Sequence, residues 1–197
     1  MTQVIRRGRQ ALRLSAFSLL LVIGIPGYAE TPIIDDDFRA YLQRAIEQAD
    51  SFTDEYAAEV WLVDMSQRLS RYVKDEADRL KMLRLVHKEA TRTKLDPELI
   101  LALIHVESLF DQYAISSAGA RGLMQIMPFW RKEIGRKNDN LTDLETNIRY
   151  GTTILSYYLK IEKGNLSRAL ARYNGSLGKL WYPERVMVRW ERYWMTQ

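Results

Sequence analysis

A glutamate stands at the end of the most hydrophobic stretch of the chain. Glu107 follows residues 99–106, of which only His105 is polar. Burial disfavours the charged form of a carboxyl group, and the partial negative charge of a helix C-terminus acts in the same direction. Both effects favour a carboxyl group that keeps its proton near neutral pH, as a general acid must. The position is equally typical of a glutamate at a helix end that pairs with an arginine such as Arg121 or Arg149.

Other candidates for chemistry near Glu107 are few. Most glycosidases use two carboxyl groups, about 5–5.5 Å apart in retaining enzymes and about 6.5–9.5 Å apart in inverting ones. Asp111, the next acid along the chain, is of a type that caps turns, so we expect it to hold a loop. His87 and His105 lack the partner pattern of a metal site or a triad, and we expect both to be structural. The residues therefore leave Glu107 as the candidate acid of this region, with no cofactor or metal expected, while its pairing with an arginine stays an open alternative.

Three short motifs follow one another along the chain. The first is Glu107-Ser108-Leu109-Phe110-Asp111, the second covers residues 114–128 and includes Gly122-Leu123-Met124-Gln125, and the third is Ala171-Arg172-Tyr173-Asn174. Together they resemble the signature of the SLT-domain lytic transglycosylases of family 1, which are murein-cleaving enzymes with a goose-lysozyme-like α-helical fold. The resemblance covers about residues 79–197 and implies an all-α, lysozyme-like SLT catalytic domain.

The resemblance implies roles for individual residues. Glu107 corresponds to the family's single catalytic acid/base, Ser116 to a serine whose hydroxyl lies near that acid, and Tyr173 to an aromatic residue whose hydroxyl approaches it. The positions implied in substrate binding are Ser108, Ser116, Gln125, Met127, Tyr173 and Asn174. The sequence departs from the family pattern at Gly175-Ser176 and at Phe129-Trp130, so we expect the groove to differ in shape there.

A single acid suffices for the reaction that the resemblance implies, cleavage of the β-1,4 bond between MurNAc and GlcNAc in the glycan strands of peptidoglycan. The 2-acetamido oxygen of MurNAc can meet the positive charge that develops at C1, as in substrate-assisted glycosidases. Glu107 would protonate the leaving O4 and then take the proton of the C6 hydroxyl, which closes a 1,6-anhydro ring. Two alternatives are hydrolysis, as in a goose-type lysozyme, and a murein-binding assembly protein without activity.

The first 29 residues have the pattern of a secretory signal. Four arginines precede a 12-residue apolar run, and Gly27 and Ala29 supply small residues before a cleavage point. We expect a signal peptide over residues 1–29 that is cleaved on export to the periplasm. The alternative is an uncleaved anchor, but the apolar run is shorter than the roughly 20 residues that span a bilayer.

The formal net charge of +4 belongs to that N-terminal segment. The chain has 29 Lys and Arg against 25 Asp and Glu, and the first 29 residues contain four of the bases and no acid. The remainder is neutral, so nucleic-acid binding loses its main support. Residues 30–106 have five more acids than bases and residues 107–197 five more bases than acids. This asymmetry fits either an anionic partner for the second half or chance. The absence of Cys excludes disulfides and thiolate metal sites.

Hydrophobic spacing predicts helices nearly throughout the rest of the chain. We expect them over about residues 38–49, 54–73, 76–91, 97–108, 123–127, 144–162 and 168–173, with a last amphipathic helix after Pro183. The expected N-caps of three of them are Asp96, either Thr142 or Asp143, and Ser167. We expect a boundary near residue 78 between a helical extension, residues 30–78, which could bind a protein partner, and a catalytic domain, residues 79–197. The molecule is expected to be a monomer.

Helical spacing favours core packing over sugar stacking for the aromatic residues near the C-terminus. These are Trp181, Tyr182, Trp190, Tyr193 and Trp194. Gly119 and Gly122 could allow sharp turns and a close approach of backbone amides to the sugar acetamides, or they could simply make the loop flexible. Met124 and Met127 fit a core or a groove equally well.

Overall fold

The computed structural model describes residues 55–136 and 138–195, with side chains from Trp61 onward. In this part the chain forms seven α-helices followed by a π-helix. They are α1 (Glu55–Leu69), α2 (Glu76–Thr93), α3 (Pro97–Glu107), α4 (Trp130–Glu133), α5 (Leu144–Ile161), α6 (Leu166–Tyr173), α7 (Trp181–Arg189) and the π-helix Trp190–Trp194. The described part is all-α, as predicted. The predicted signal peptide and the helix predicted over residues 38–49 lie outside the described residues.

Helix α3 lies at the centre of the molecule because most of its surface is apolar. Asp96 has the extended backbone of an N-cap, and Pro97 occupies the first helical position, where a missing N–H costs little. Residues 99–105 are all buried, and α2, α7 and the π-helix pack around them. A helix enclosed in this way has little freedom to shift, so α3 presents its last residue, Glu107, from a firmly held position.

Helices α2 and α5 enclose a buried ionic cluster. Glu89 of α2 is fully buried, and Arg92 Nε lies 2.6 Å from its Oε2. Arg149 of α5 approaches the other carboxylate oxygen with Nε at 3.4 Å, and Arg92 also donates to Thr153 Oγ1 at 2.7 Å. A buried charge is tolerated only when it is paired, so these contacts constrain how the two helices face each other. They also commit Arg149 to a partner other than Glu107.

Several local predictions about helices were wrong. Helix α1 ends at Leu69 and not near residue 73, and α7 begins at Trp181, so Pro183 lies inside the helix and does not precede it. Residues 123–127 form a turn instead of a helix, because Gln125 adopts a left-handed φ of 51° and Arg121 pairs with Ile126 in an isolated antiparallel bridge. Helix α6 begins earlier than predicted, since the side chain of Asn165 accepts the N–H of Arg168 at 3.0 Å. Ser167 therefore lies inside the helix and is not its cap.

Of the two N-caps predicted for α5, Thr142 and Asp143, the structure selects Asp143. The side chain of Asp143 accepts the N–H of Thr146 at 2.9 Å, which satisfies one of the free donors of the first turn. Asp96 has the backbone angles of a cap, but its side chain accepts no hydrogen bond from the first turn of α3 within the described structure. The start of α3 therefore relies more on Pro97 than on a side-chain cap.

Helix α1 shares the hydrophobic core of the helices that follow it. Trp61, Leu62, Met65 and Leu69 are buried in that core, and α1 packs against α2 and the π-helix. The boundary predicted near residue 78 falls inside the first turn of α2 and stays a prediction about independent folding. Within residues 55–136 and 138–195, no helix is both long and apolar enough to cross a membrane.

Candidate active site

Glu107 is the last residue of α3, where the chain leaves the core. The N–H of Ser108 still donates to the Ile104 carbonyl at 3.0 Å, after which Leu109 and Phe110 adopt left-handed φ angles of 52° and 66°. Two such residues in succession are costly for non-glycine side chains. Phe110 is buried against an aromatic cluster that includes His105, which offsets part of that cost. The sharp turn leaves the Glu107 carboxyl group at the edge of the core.

The hydroxyl of Tyr182 donates a hydrogen bond to Glu107 Oε1. Tyr182 is 2% exposed and lies in the first turn of α7, which packs on α3. Its ring fills the core while its hydroxyl reaches the edge where Glu107 lies. Core packing of Tyr182 is confirmed, but its contact with Glu107 was not predicted, because 75 residues separate the two. The available signal was that a buried tyrosine hydroxyl normally needs a polar partner.

Burial raises the pKa of Glu107 from its usual 4.5 to about 7. The hydrogen bond from Tyr182 and the positive charge of Arg185 both lower this pKa, but they do not cancel the effect of desolvation. The carboxyl group is desolvated although the residue as a whole is partly exposed. Near neutral pH, Glu107 is therefore a mixture of acid and carboxylate, which suits a group that transfers a proton in both directions.

Glu107 does not form the arginine pair that its position also allowed. In the described part of the chain, no Lys or Arg makes an ion pair with it. Arg149 is held by Glu89 and Glu145, and Arg121 is exposed. These contacts favour proton transfer over helix capping as the role of Glu107.

Asp111, the next acid in the sequence, holds the loop after α3. Its Oδ1 accepts the N–H of Tyr113 at 2.8 Å, which confirms the prediction of a turn-capping role. No group of three His, Asp or Glu side chains among the described residues is placed to share a metal ion. Of the two acids Glu107 and Asp111, Glu107 is therefore the one that remains a candidate for proton transfer.

Tyr173, which was predicted to approach Glu107, is the last residue of α6. Its hydroxyl donates to the Met124 carbonyl oxygen at 2.8 Å. Burial of the hydroxyl and, second, the negative charge of Glu107 raise the pKa of Tyr173 well above 10. Tyr173 is therefore neutral and close enough to interact electrostatically with Glu107. At the same time it anchors the turn at residues 122–125 beside the acid.

Asn147 of α5 holds the same turn from the side of the core. Its Nδ2 donates to the carbonyl oxygens of Arg121, at 2.9 Å, and Leu141, at 2.6 Å, and its Oδ1 accepts the N–H of Met124 at 2.7 Å. The side chain is almost completely buried. A buried amide with three hydrogen bonds specifies the backbone around it strongly. The sequence did not single out Asn147, since one Asn on a helix has no motif context.

The predicted groove residues Gln125 and Met127 lie in and just after this turn. Gln125 Nε2 donates to the carbonyl oxygens of Gly122, at 2.9 Å, and Ala114, at 3.2 Å, so it ties the turn to the preceding loop. Met127 is half-buried at the edge of the core, whereas Met124 is fully buried. Of the two interpretations of Met124, core packing is confirmed.

Gly122 is required by close packing, since its φ is 73° and an added Cβ would lie 2.5 Å from Asn147 Nδ2. The same Cβ would lie 2.6 Å from the Leu141 carbonyl oxygen, so no side chain fits there. Gly119 also has a positive φ, 85°, but an added Cβ would meet nothing within 4 Å. Of the two loop glycines, Gly122 is the one whose substitution the surrounding structure blocks.

The contacts of the other predicted binding residues are local. Ser116 Oγ accepts the N–H of Ala120 at 3.0 Å and closes a turn. Ser108 Oγ donates to the Ile104 carbonyl at 3.3 Å. Asn174 is exposed at the C-terminus of α6. The tyrosine hydroxyl that contacts Glu107 is that of Tyr182, whereas the Tyr173 hydroxyl binds the Met124 carbonyl and is influenced by the charge of Glu107. The hydrogen bonds of Ser108, Ser116 and Asn174 stay within their own segments.

An exposed aromatic residue adjoins the Tyr182–Glu107 pair. Trp181 is 47% exposed and meets the Tyr182 ring edge-on, with 5.7 Å between the ring centroids. Core packing is confirmed for Tyr182 and Trp194 but is wrong for Trp181, whose indole is partly exposed next to the Tyr182 ring. Two cavities of about 460 and 270 Å³ lie elsewhere, at the start of α5 and between α1 and the π-helix, and neither is lined by Glu107.

Comparison with known proteins places these residues in a family. Residues 84–186, just over half of the chain, match the family model described as the transglycosylase SLT domain. The chain is similar to the membrane-bound lytic murein transglycosylase C of Yersinia pestis (strain Pestoides F) and to that of Yersinia pseudotuberculosis serotype O:1b (strain IP 31758). Each is 34% identical over 116 residues, which cover 51% of this chain and 32% of the relative. The chain therefore spans about a third of the length of these relatives.

Proposed function

The chain belongs to the SLT transglycosylase domain family, and from this we propose that it is a peptidoglycan lytic transglycosylase. It cleaves the β-1,4 bond between MurNAc and GlcNAc and leaves a 1,6-anhydro ring on MurNAc. The observation that carries the proposal is the Glu107 carboxyl group, whose pKa burial raises to about 7 and which accepts a hydrogen bond from Tyr182. The names of the Yersinia relatives support murein as the substrate class.

Glu107 acts first as the acid. It gives its proton to O4 of the leaving GlcNAc while the C1–O4 bond breaks, and the 2-acetamido oxygen of MurNAc bonds to C1. Glu107 is then a carboxylate in a desolvated place. The hydroxyl of Tyr182 donates to this carboxylate and stabilises it, because a hydrogen bond to a charged acceptor is stronger than one to a neutral acceptor.

The carboxylate acts next as the base. It takes the proton of the C6 hydroxyl of the same MurNAc, O6 bonds to C1, and the acetamido oxygen leaves. Glu107 ends protonated and no water is consumed. The C6 hydroxyl is favoured over water because it is tethered to the reacting ring and has a high effective concentration.

The glycan strand is proposed to lie across the edge of the core beside Glu107. Ser108, Ser116, Gln125, Met127, Tyr173 and Asn174 remain the proposed binding residues. The bonds of Gln125 and Tyr173 to backbone carbonyls support a role in shaping the groove, and the exposure of Asn174 supports direct contact with the substrate. The exposed ring of Trp181 adds a face on which a sugar can stack.

The periplasm is the proposed place of action, since murein is found there. The export signal predicted over residues 1–29 and the words "membrane-bound" in the names of the relatives support a location in the cell envelope. The protein is proposed to work as a monomer and to bind a protein partner through residues 30–78.

Digestion of purified murein by the wild type, Glu107→Gln and Glu184→Gln tests the proposal. Glu184 is an exposed glutamate on α7, so Glu184→Gln makes the same chemical change outside the site. Mass spectrometry of the products should show 1,6-anhydro muropeptides from the wild type and from Glu184→Gln. Glu107→Gln should be slower by at least about 100-fold, the usual contribution of a general acid.

The same mass spectra distinguish a lytic transglycosylase from a hydrolase and from a murein-binding protein without activity. A hydrolase gives products that are one water heavier than the anhydro forms, and an assembly protein gives no products. Anhydro products from Glu107→Gln at the wild-type rate would refute the role of Glu107.

A further inference from the structure

Arg185 lies on the face of α7 that carries Tyr182. The two residues are three positions apart on the helix, a spacing that makes side chains neighbours. Tyr182 is buried and reaches Glu107 with its hydroxyl, whereas Arg185 is exposed. Arg185 is therefore the solvent-facing neighbour of the pair that forms the candidate active site.

The positive charge of Arg185 is not neutralised within the described structure. No ion pair or side-chain hydrogen bond joins it to another described residue, while Arg168 and Arg172 both pair with Glu162. Its charge acts on Glu107 and on Tyr182, lowering the pKa of each against the stronger effect of burial. An unpaired guanidinium beside a carboxyl group that is often protonated is available to an anion from outside.

The proposed substrate carries such an anion on the ring that reacts. MurNAc differs from GlcNAc by a lactyl group on O3, which ends in a carboxylate on peptide-free strands and continues into an acidic stem peptide on intact ones. The same ring supplies the C1 atom that Glu107 helps to release. On peptide-free strands this carboxylate is therefore carried by the reacting sugar itself, and on intact strands the carboxylates lie further out along the stem peptide.

We propose that Arg185 is a specificity-determining residue that binds the carboxylate of the muramoyl substituent. A planar guanidinium can hold a carboxylate through two parallel hydrogen bonds, which makes it selective for that group. The neutral GlcNAc ring offers no equivalent partner, so Arg185 also selects MurNAc as the sugar that supplies the reacting C1. This inference rests on the proposed function and names the substrate feature that the site selects.

A substrate-binding role of Arg185 and a purely electrostatic role predict different effects of removing its side chain. If Arg185 acted only on Glu107, its removal would change the reaction of every strand equally. If it binds the substrate carboxylate, its removal matters only for strands that carry that charge.

Three forms of one substrate make this distinction measurable: intact strands with stem peptides, peptide-free strands with the lactyl carboxylate, and peptide-free strands whose carboxylates are converted to methylamides. kcat/KM for anhydro product is measured with the wild type, Arg185→Gln and Arg185→Lys, each at its own pH optimum. Arg189→Gln serves as the control, because it removes the same charge one turn further along α7, where Arg189 lies over the Tyr193 ring.

Arg185→Gln should lower kcat/KM on the lactyl carboxylate strands by about 10-fold or more, as expected for a lost hydrogen bond to a charged group. Its kcat/KM on the methylamide strands should stay within about twofold of the wild type. Arg185→Lys should recover part of the loss, and Arg189→Gln should behave as the wild type. A loss confined to intact strands identifies the stem carboxylates as the bound group and also supports the proposal. Equal losses on charged and methylamide strands overturn it.

Binding measurements keep this test independent of turnover. The same strands are titrated by calorimetry into full-length Glu107→Gln, with and without Arg185→Gln. Weaker binding of the carboxylate strands alone supports the proposal even if the wild type forms no anhydro product, an outcome that would refute only the proposed function. Identical affinities for charged and neutral strands in both proteins refute the role of Arg185.

Discussion

At the scale of single residues, the acidity of Glu107 results from two opposed effects. Its place at the end of a buried helix disfavours the carboxylate, and desolvation is the larger effect. Tyr182 and Arg185 favour the carboxylate and limit the rise of the pKa. A carboxyl group with a lower pKa would be a poor acid at neutral pH, and one with a higher pKa would be a poor base afterwards. Burial raises the pKa, and the Tyr182 hydrogen bond and the Arg185 charge limit the rise. The resulting acidity suits Glu107 to the two proposed steps, proton donation and proton removal.

The pH profile of the enzyme tests this balance. The proposed mechanism requires protonated Glu107 in the free enzyme, and the pKa of about 7 predicts that kcat/KM falls as the pH rises above about 7. Tyr182→Phe removes the hydrogen bond that stabilises the carboxylate, so the pKa should rise and the fall should move to higher pH. kcat should also drop by about 10-fold, since the carboxylate formed during the reaction loses a donor.

Tyr113→Phe is the matched control for Tyr182→Phe, because Tyr113 is 70% exposed and also loses only a hydroxyl. Its pH profile should coincide with that of the wild type. A Tyr182→Phe profile that stays in place, or moves to lower pH, would contradict the assigned role of the hydrogen bond.

At the scale of elements, the loop after α3 is held by helices that are distant in sequence. Asn147 of α5 binds the turn at residues 122–125 from the core side, and Tyr173 of α6 binds the Met124 carbonyl. The turn itself contains two residues with positive φ, Gly122 and Gln125. Helices α5 and α6, rather than the loop alone, therefore determine the path of the backbone at this turn.

The two loop glycines provide a test of this arrangement. Gly119→Ala should lower the free energy of unfolding by roughly 1–2 kcal/mol, because alanine is strained at a positive φ. Gly122→Ala adds a collision of its Cβ with Asn147 and with the Leu141 carbonyl, so it should cost roughly 2–5 kcal/mol. Urea denaturation of both variants measures the difference. Equal destabilisation would show that the close packing at Gly122 does not limit the turn.

At the scale of the whole molecule, His105 links the segment that follows α1 to the π-helix near the C-terminus. Trp194 Nε1 donates to His105 Nδ1 at 3.2 Å, and His105 Nε2 lies 3.1 Å from the hydroxyl of Tyr72. The Trp N–H can only donate, so Nδ1 must be unprotonated and the ring proton faces Tyr72. The prediction that His105 is structural is supported by these contacts. Through these contacts, Tyr72 in the segment after α1 and Trp194 in the π-helix are both bound to His105 of α3.

His105 should make stability depend on pH. Burial, with a smaller effect of the Arg189 charge, lowers the pKa of His105 from 6.5 to about 4. As the pH falls from 6.5 towards 4, the unfolded chain binds a proton that the folded chain does not, so stability decreases in this window. Midpoints of guanidinium denaturation between pH 7 and pH 4.5 should fall less in His105→Gln than in the wild type. Parallel curves would exclude His105 as a source of the dependence.

Whether α1 folds with the catalytic helices is tested by its buried methionine. Met65 is fully buried in the shared core, so Met65→Ala should cost about 2–5 kcal/mol and lower the midpoint of one common transition. Val63→Ala, on the exposed side of the same helix, should change stability by less than about 0.5 kcal/mol. Circular dichroism and tryptophan fluorescence should then give coincident curves. Two separate transitions would support a folding boundary near residue 78.

The sequence by itself determined the helical class, most helix limits and the unusual position of Glu107. These follow from local properties, namely the spacing of apolar residues, Pro97 at a helix start and an acid at the end of an apolar run. The errors were local too. Residues 123–127 have helical composition, but the positive φ of Gln125 comes from a bridge and from side-chain bonds that the segment makes with other residues.

Only the tertiary structure decided which groups surround Glu107. Tyr182, Asn147 and Arg185 carry no motif, and their roles arise because α7 and α5 pack against α3 and its loop. It also showed that Arg149 pairs with Glu89, which leaves Glu107 without that partner. The physical reason is that desolvation and hydrogen bonding depend on neighbours in space, and these neighbours come from helices that lie tens of residues apart. A sequence can mark the acid, but its pKa is a property of the packed core.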